Sequence, residues 1–434
     1  MDKASYSMTE VGATSSISQN KIIIQGGEPL KGEVVISPSK NAVLPILAAC
    51  LLQHEGQTVI PIAPNLTDVQ TMISVIEHLG LRVKSKPPSL LIENAGIQGN
   101  EPPYKLVRKM RASILVLAPL LARQGRAIIA LPGGCAIGTR PIDLHLKGLS
   151  AMGADLQTRE GKIEAKCSEL TGAKIYLDFP SVGATETLMM AGVLARGVTM
   201  IENAALEPEI VNLAQFLNAM GGKVQGAGTN VIRIEGVRYL RGTVQPIIPD
   251  RIEAGTYMVA TAITGGEAVL RNIEPDHLQS IIFKLRETGT EVECESSKLY
   301  VKAPETLRPI QLRTMPYPGF PTDMQPQFTA LLTKAQGTSL IVETIFENRF
   351  LHVNELLRMG ARIQVEGRTA VVQGLSRLWG ARVRATDLRA GAALVIAALA
   401  ACGKTEITGS DHIDRGYENM VAKLSAMGAS VTRR

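Results

Sequence analysis

The chain has 434 residues, and 46 Lys and Arg against 40 Asp and Glu leave a formal charge of +6. At roughly 100–200 residues per domain that length implies two or three domains, and 45% hydrophobic with 20% charged residues excludes a largely disordered chain. Aromatic residues at 4% and positive charge without a basic block argue against base stacking or a DNA footprint and in favour of a site for small anions.

In chain order, the first 20 residues carry Asp2 and Glu10, no Arg and no apolar core. They read as a disordered leader, neither signal nor transit peptide. A helix apolar nearly all round opens at NAVLPILAACLL (41–52). The same kind recurs at RASILVLAPLLA (111–122), ATETLMMAGVLA (184–195), EAGTYMVATAI (253–263), PQFTALLTKA (326–335) and RAGAALVIAALA (389–400). None reaches the roughly 20 apolar residues of a membrane span, so these helices are expected inside a domain. Each is followed by a Gly-led strand (GQTVI, GRAIIA, GVTMI, GEAVL, GTSLI, GKTEI) and then by an amphipathic helix. A stop glycine ends each amphipathic helix: Gly80, Gly153, Gly221, Gly289, Gly360 and Gly428, spaced 68 to 73 residues apart. Glycine there suits a left-handed C-cap, and alternating strands such as KIEAKC and RIQVEG complete each unit. The period predicts six copies of one unit. Two groups of three would give two domains of about 200 residues each.

The starts of the predicted helices carry a second regularity. Lys40 and Asn41, Arg111, Ser181–Val182–Gly183, Asp250–Arg251, Thr322–Asp323, and Asp387 with Arg389 stand at the buried helices. Asp68, Arg140–Pro141–Ile142–Asp143, Glu207–Pro208–Glu209, Glu274–Pro275–Asp276, Glu347–Asn348–Arg349 and Asp414–Arg415 stand at the amphipathic ones. Carboxylates there read as caps. Cations do not, since Lys or Arg at the positive dipole end costs roughly 0.3–1 kcal/mol. A local cost repeated at equivalent points is expected at a functional site, and cations beside unpaired N–H groups make an anion pocket. The alternative is local pairing, Arg349 with Glu347 and Arg415 with Asp414.

The loop LPGGCAIGTRPIDLHL (131–146) presents Cys135 among glycines, ahead of Arg140 and a helix opened by Pro141. Nearby cations would lower its thiol pKa and make it a usable acid or nucleophile. The other cysteines, 50, 167, 294 and 402, read as packing residues, and five scattered cysteines form neither a disulfide framework nor a zinc site. His145 and His352 read as structural, and no metal spacing or phosphate-binding P-loop appears.

The motifs SKNAVLP, VRKMRAS, LPGGCAIGTRPIDLHLKG, SVGATET, EPEIV, PDRIEAGT, GFPTDMQ, FENRF, ATDLRAGA and HIDRGYE occur in order from about residue 21 to 432. Through them the chain resembles the UDP-N-acetylglucosamine 1-carboxyvinyltransferases, enolpyruvyl transferases of peptidoglycan synthesis. The resemblance implies an α/β fold, a two-domain inside-out α/β barrel (α/β prism) of six repeats of about 70 residues, three per domain. It implies a second domain at 40–248, a C-terminal-type domain at 21–39 plus 249–434, and an active site in the cleft between them. The implied reaction moves the enolpyruvyl group of phosphoenolpyruvate to the 3′-hydroxyl of UDP-N-acetylglucosamine and releases phosphate, by addition and elimination. Carried over by motif, Cys135 is the acid-side thiol, alkylated by fosfomycin, and Asp323 is the base. Lys40, Asn41, Arg111, Arg140, Arg349, Arg389 and Arg415 hold phosphoenolpyruvate, with Lys40 and Arg415 also catalytic. Asn41, Arg111, Arg140, Pro141, Ile142, Asp143, Leu144, Ser181, Val182, Gly183, Asp323 and Ile345 contact the nucleotide sugar. The resemblance implies no cofactor, no metal, no nucleic-acid or membrane partner, and a cytoplasmic location.

The sequence departs from the family pattern at Pro38 and Ser39, where Gly-Ala is common, at Tyr317, where His is usual, and at Pro326, where Ala is common. Two other readings are weighed. A sister transferase acting on a small shikimate acid has no use for the intact GGCAIGTRPIDLHL loop. A silent sugar-nucleotide-binding paralogue would have lost Lys40, Cys135, Asp323 or Arg415, and all four are present.

Overall fold

The computed structural model describes residues 20–131, 137–138 and 142–434. The expectations for the leader up to residue 19, and for Cys135, Arg140 and Pro141, lie outside the described residues. Within them the fold is α/β, with parallel and antiparallel strand pairs and no closed barrel. Its strands fall into six sheets of three to five strands. In one, Lys31–Val35 pairs parallel with Glu267–Arg271, which pairs antiparallel with Lys298–Lys302. Alternation sets which face is buried: Ala268 and Leu270 point inward while Glu267 points out.

Apolar side chains collect in two clusters. One runs from Val43 to Leu240; the other joins Ile22–Ile36 to residues from Ile252 to Val431. The chain passes between them twice, and the two passages lie side by side. Pro38 bridges Pro249, Ser39 N donates to the Ile248 carbonyl at 2.8 Å, and Asp250 N donates to the Ser37 carbonyl at 2.9 Å. Pro38 and Ser39, the departures noted above, therefore belong to this crossing, and Ser39 also caps the next helix through its hydroxyl.

The apolar segments form helices sheathed by other elements, as a helix without a polar face requires. In Arg251–Ile263 every residue is buried, and in Leu388–Leu399 only Leu388 is not. These two and Gln325–Leu332 pack on one another inside the second cluster. Lys40–Ala49, Leu117–Gln124 and Val182–Gly192 lie inside the first. The stretch from Arg111 begins as a 3-10 helix, Arg111–Val116, before turning α-helical. Pro119 has no N–H to offer the carbonyl four residues back, which denies the α ladder one of its early bonds.

Three expectations are corrected. Arg349 and Arg415 do not open α-helices: those helices begin at Val353 and Met420. Arg415 closes the 3-10 helix Ser410–Arg415, where a cation meets carbonyl ends and is favourable. Nor do these two arginines pair locally, since Glu347 pairs with Arg368 and Asp414 with Arg433. Finally, Cys294 and Cys402 are exposed, Cys402 at an outward strand position, and among the described cysteines only Cys50 is fully buried.

Candidate active site

The first cluster of charge forms around Asp68, in the first turn of the Thr67–His78 helix. Asp68 is no cap: its buried carboxylate takes Lys40 Nζ at 3.4 Å on Oδ2 and Arg415 Nε at 2.9 Å on Oδ1. Lys40 is the first residue of its helix, so its backbone fixes where the ammonium stem starts. Burial pulls its pKa down, Asp68 pushes it back up, and Arg389, Asp323 and Arg415 also act on it. These four groups therefore share one field with Lys40 although they come from distant segments.

Asp323 organises the second cluster. It sits in the 3-10 turn Thr322–Met324 that leads into the buried Gln325–Leu332 helix, with Pro326 in the first turn. Arg349 Nη2 meets its Oδ1 at 2.7 Å and Arg389 Nη2 meets its Oδ2 at 3.0 Å. Both arginine side chains are buried, whereas the Asp323 side chain keeps 25% of its surface open. The carboxylate is thus the most open member of the trio. Arg389 Nη1 also donates to Tyr417 Oη at 3.1 Å, and that hydroxyl contacts Thr256 Oγ1 at 2.9 Å. Burial disfavours the charge on Arg389, but Asp323, Tyr417 and Asp250 hold its pKa above the ordinary value.

Arg251 opens its helix behind the capping side chain of Asp250 and pairs with Glu209 at 3.1 Å, both side chains nearly buried. The Tyr317 ring lies over Arg251, 5.6 Å from its centroid to Cζ, so this departure stacks on the cation that pairs with Glu209.

The residues expected to meet the nucleotide sugar gather on another wall. Ile142 precedes the helix Asp143–Ala151, which carries Leu144 and the buried His145. Ser181 caps Val182–Gly192 through its hydroxyl, accepting from Ala184 N at 3.3 Å. A Cβ on Gly183 would lie 3.1 Å from His145 Cε1, so glycine allows the two helices to close. His145 Nδ1 pairs with Thr187 Oγ1 at 2.8 Å. Burial, with Arg111 nearby, lowers the His145 pKa to about 4, which suits a structural imidazole. Asn41, Arg111, Ile142, Leu144, Ser181, Val182 and Gly183 are all half-buried, and Asp143 is exposed.

Asn348 N donates to the Ile137 carbonyl at 3.0 Å, and a Cβ on Gly138 would strike Glu347. Ile137 and Gly138 thus rest on the turn that carries Ile345 and Arg349. Sequence reasoning missed two acids here. Asp68 stands in the sequence as a helix cap, and Glu343, which accepts the backbone N–H of Ile345 at 2.8 Å, carries no motif of its own. Its one mark was a carboxylate inside the apolar run LIVETIF.

The profile of the EPSP synthase (3-phosphoshikimate 1-carboxyvinyltransferase) family matches residues 24–424. UDP-N-acetylglucosamine 1-carboxyvinyltransferase 1 of Caldanaerobacter subterraneus subsp. tengcongensis is 54% identical over 416 residues, covering 96% of this chain and 100% of that protein. The chain belongs to the enolpyruvyl (carboxyvinyl) transferase family. A second member, UDP-N-acetylglucosamine 1-carboxyvinyltransferase 2 of Carboxydothermus hydrogenoformans, is 55% identical over 415 residues, 95% of this chain and 99% of that one. Among solved enolpyruvyl transferases, NikO from Streptomyces tendae superposes with a TM-score of 0.86 at 23% identity, over 96% of this chain and 99% of that one. EPSP synthase from Acinetobacter baumannii gives 0.73 at 20% identity, over 96% and 100%. At those identities the structures speak for the shared fold. Among the described residues no helix of this transferase is long and apolar enough to cross a membrane.

Proposed function

We propose that this transferase moves the enolpyruvyl group of phosphoenolpyruvate to the 3′-hydroxyl of UDP-N-acetylglucosamine, releasing phosphate, in peptidoglycan synthesis in the cytoplasm. One observation carries the reading. Lys40, Arg349, Arg389 and Arg415 converge on two carboxylates, Asp68 and Asp323, at the boundary of two cores. A small substrate with a phosphate and a carboxylate needs that number of cations. The over-50% identity to two UDP-N-acetylglucosamine 1-carboxyvinyltransferases supports that acceptor.

The chemistry follows from those groups. An acid protonates the methylene carbon of phosphoenolpyruvate, the role given to Cys135 by its place in the GGCAIG motif. The sugar hydroxyl, losing its proton to Asp323, adds to the neighbouring carbon. Lys40, Arg111, Arg140 and Arg415 hold the phosphate of the tetrahedral adduct, and Arg349 and Arg389 face the carboxylate. Elimination of phosphate and a proton regenerates the double bond. An incoming carboxylate competes with Asp323 for the guanidiniums of Arg349 and Arg389, which frees the base as substrate arrives. Asn41, Ile142, Asp143, Leu144, Ser181, Val182, Gly183 and Ile345, with Pro141, would line the sugar-nucleotide side.

The reading also takes the chain as two domains, 40–248 and 21–39 plus 249–434, with the site between them. The two apolar clusters and the paired crossing at Pro38 and Pro249 support that division. Six sheets, each beside a buried helix, support six repeats arranged as two inside-out prisms.

The test is phosphate release from phosphoenolpyruvate with UDP-N-acetylglucosamine, checked against shikimate 3-phosphate as acceptor. Release with the nucleotide sugar alone, and a product heavier by one enolpyruvyl group, is expected. Binding of the nucleotide sugar without release would make the chain a silent binder, and release with shikimate 3-phosphate alone would reassign the acceptor.

A further inference from the structure

Glu343 follows the strand Thr338–Val342 and is 1% exposed. Its Oε1 accepts from Thr314 Oγ1 at 2.9 Å, Ile345 N at 2.8 Å and Phe346 N at 3.2 Å. Its Oε2 accepts from Thr322 Oγ1 at 3.0 Å. A carboxylate offers about four acceptor positions, and four uncharged donors meet this one, three on Oε1 and one on Oε2. Leaving a buried acceptor of this kind unpaired costs on the order of 1–3 kcal/mol; the network is therefore complete or costly.

What the four donors belong to gives the network its meaning. Thr322 directly precedes Asp323, and the Ile345–Phe346 turn runs on to Arg349, whose guanidinium meets Asp323 at 2.7 Å. Thr314 closes the arrangement from below, since Thr344 N donates to its hydroxyl at 2.8 Å and Thr344 Oγ1 donates to its carbonyl at 2.6 Å. One buried carboxylate thus ties the segment bearing the base to the segment bearing Ile345 and Arg349.

We propose that Glu343 is a positioning residue: through Thr322 and the Ile345–Phe346 backbone it sets Asp323 against the sugar hydroxyl and Arg349. The inference rests on the transferase reading above and adds a residue to it. Glu343 touches no substrate and acts through the residues it holds. A displacement near 1 Å at a reacting group costs about 100-fold in rate, and loosening this tie moves the base by a distance of that order.

The test uses the full chain and three variants. Glu343→Met removes all four acceptors. Thr322→Val removes only the link to the Asp323 segment and leaves the other three bonds, so it remains informative if Glu343→Met fails to fold. Glu343→Gln restores the shape, with its carbonyl toward the N–H groups and its amide donating to Thr322. The expected result is a kcat at least ~10-fold lower in Thr322→Val, with KM for phosphoenolpyruvate within about twofold and a melting temperature lowered by only a few degrees, the cost of one unpaired acceptor. Glu343→Gln should recover most of the turnover that Glu343→Met loses. Normal kcat in folded Thr322→Val, or Glu343→Gln no better than folded Glu343→Met, overturns the role. Wild-type protein that releases no phosphate from phosphoenolpyruvate overturns the transferase reading itself, a separate result.

Discussion

Arg415 and Asp68, 347 positions apart, meet with Nε 2.9 Å from Oδ1. The arginine side chain is 34% exposed and the aspartate side chain 6%, so the anion is fixed and the cation can leave it. Asp68 also holds Lys40. A phosphate arriving between these cations therefore competes with an internal carboxylate already in place.

Arg415→Met should weaken use of phosphoenolpyruvate. A hydrogen bond to a charged group contributes about 1.5–3 kcal/mol, so kcat/KM for phosphoenolpyruvate is expected to fall roughly 10- to 100-fold. Steady-state phosphate release checks this. Unchanged kcat/KM would remove Arg415 from the phosphate side.

Asp323→Asn keeps the shape and loses the base. General-base catalysis contributes about 10²–10⁴-fold, and kcat should fall by that order while circular dichroism stays that of the wild type. Near-normal kcat would show that another group takes the proton from the sugar hydroxyl.

Cys135→Ser should abolish alkylation by fosfomycin, read as the loss of the mass adduct on intact protein. Cys50 offers no substitute, because burial raises its thiol pKa to about 12. The exposed Cys294 and Cys402 are the sites to check by peptide mapping. An adduct that survives in Cys135→Ser contradicts the assignment.

Glu253 supplies a pH prediction. Burial raises its pKa to about 7 against the opposing pull of Lys423; Asp250 raises it further and the Ser37 N–H lowers it. A carboxyl held above its unfolded value favours folding when protonated. Its contribution is complete below pH 4.5 and is lost as pH rises through about 7. Relative to wild type, Glu253→Gln should therefore gain unfolding free energy between pH 5 and 8, on the order of 1–3 kcal/mol. Denaturant titrations at the two pH values measure it, and a gap that shrinks with rising pH would reverse the assignment.

What the sequence revealed depended on distance along the chain. Lys40 and Arg389 were legible because each stands at the start of an apolar run and its anomaly is local. Arg349 and Arg415 were placed at helix starts by the same logic, yet turns and a 3-10 helix intervene. Their partners Asp323 and Asp68 lie 26 and 347 positions away, and no local pattern encodes such a pairing. Glu343 stayed hidden because a buried acid at a strand end looks like any strand-flanking carboxylate until its four donors are seen.

The paired passages at Pro38 and Pro249 carry a mechanical consequence. Two covalent links laced by the Ser39–Ile248 and Asp250–Ser37 hydrogen bonds behave like one strap along one edge. In a chain divided into two domains there, such a strap would let the halves hinge about that edge while resisting sliding and parting. Lys40 and Arg251 begin within two residues of the strap, so a swing would carry them least. Changes to the strap itself would retime the swing while leaving every substrate-facing side chain chemically intact.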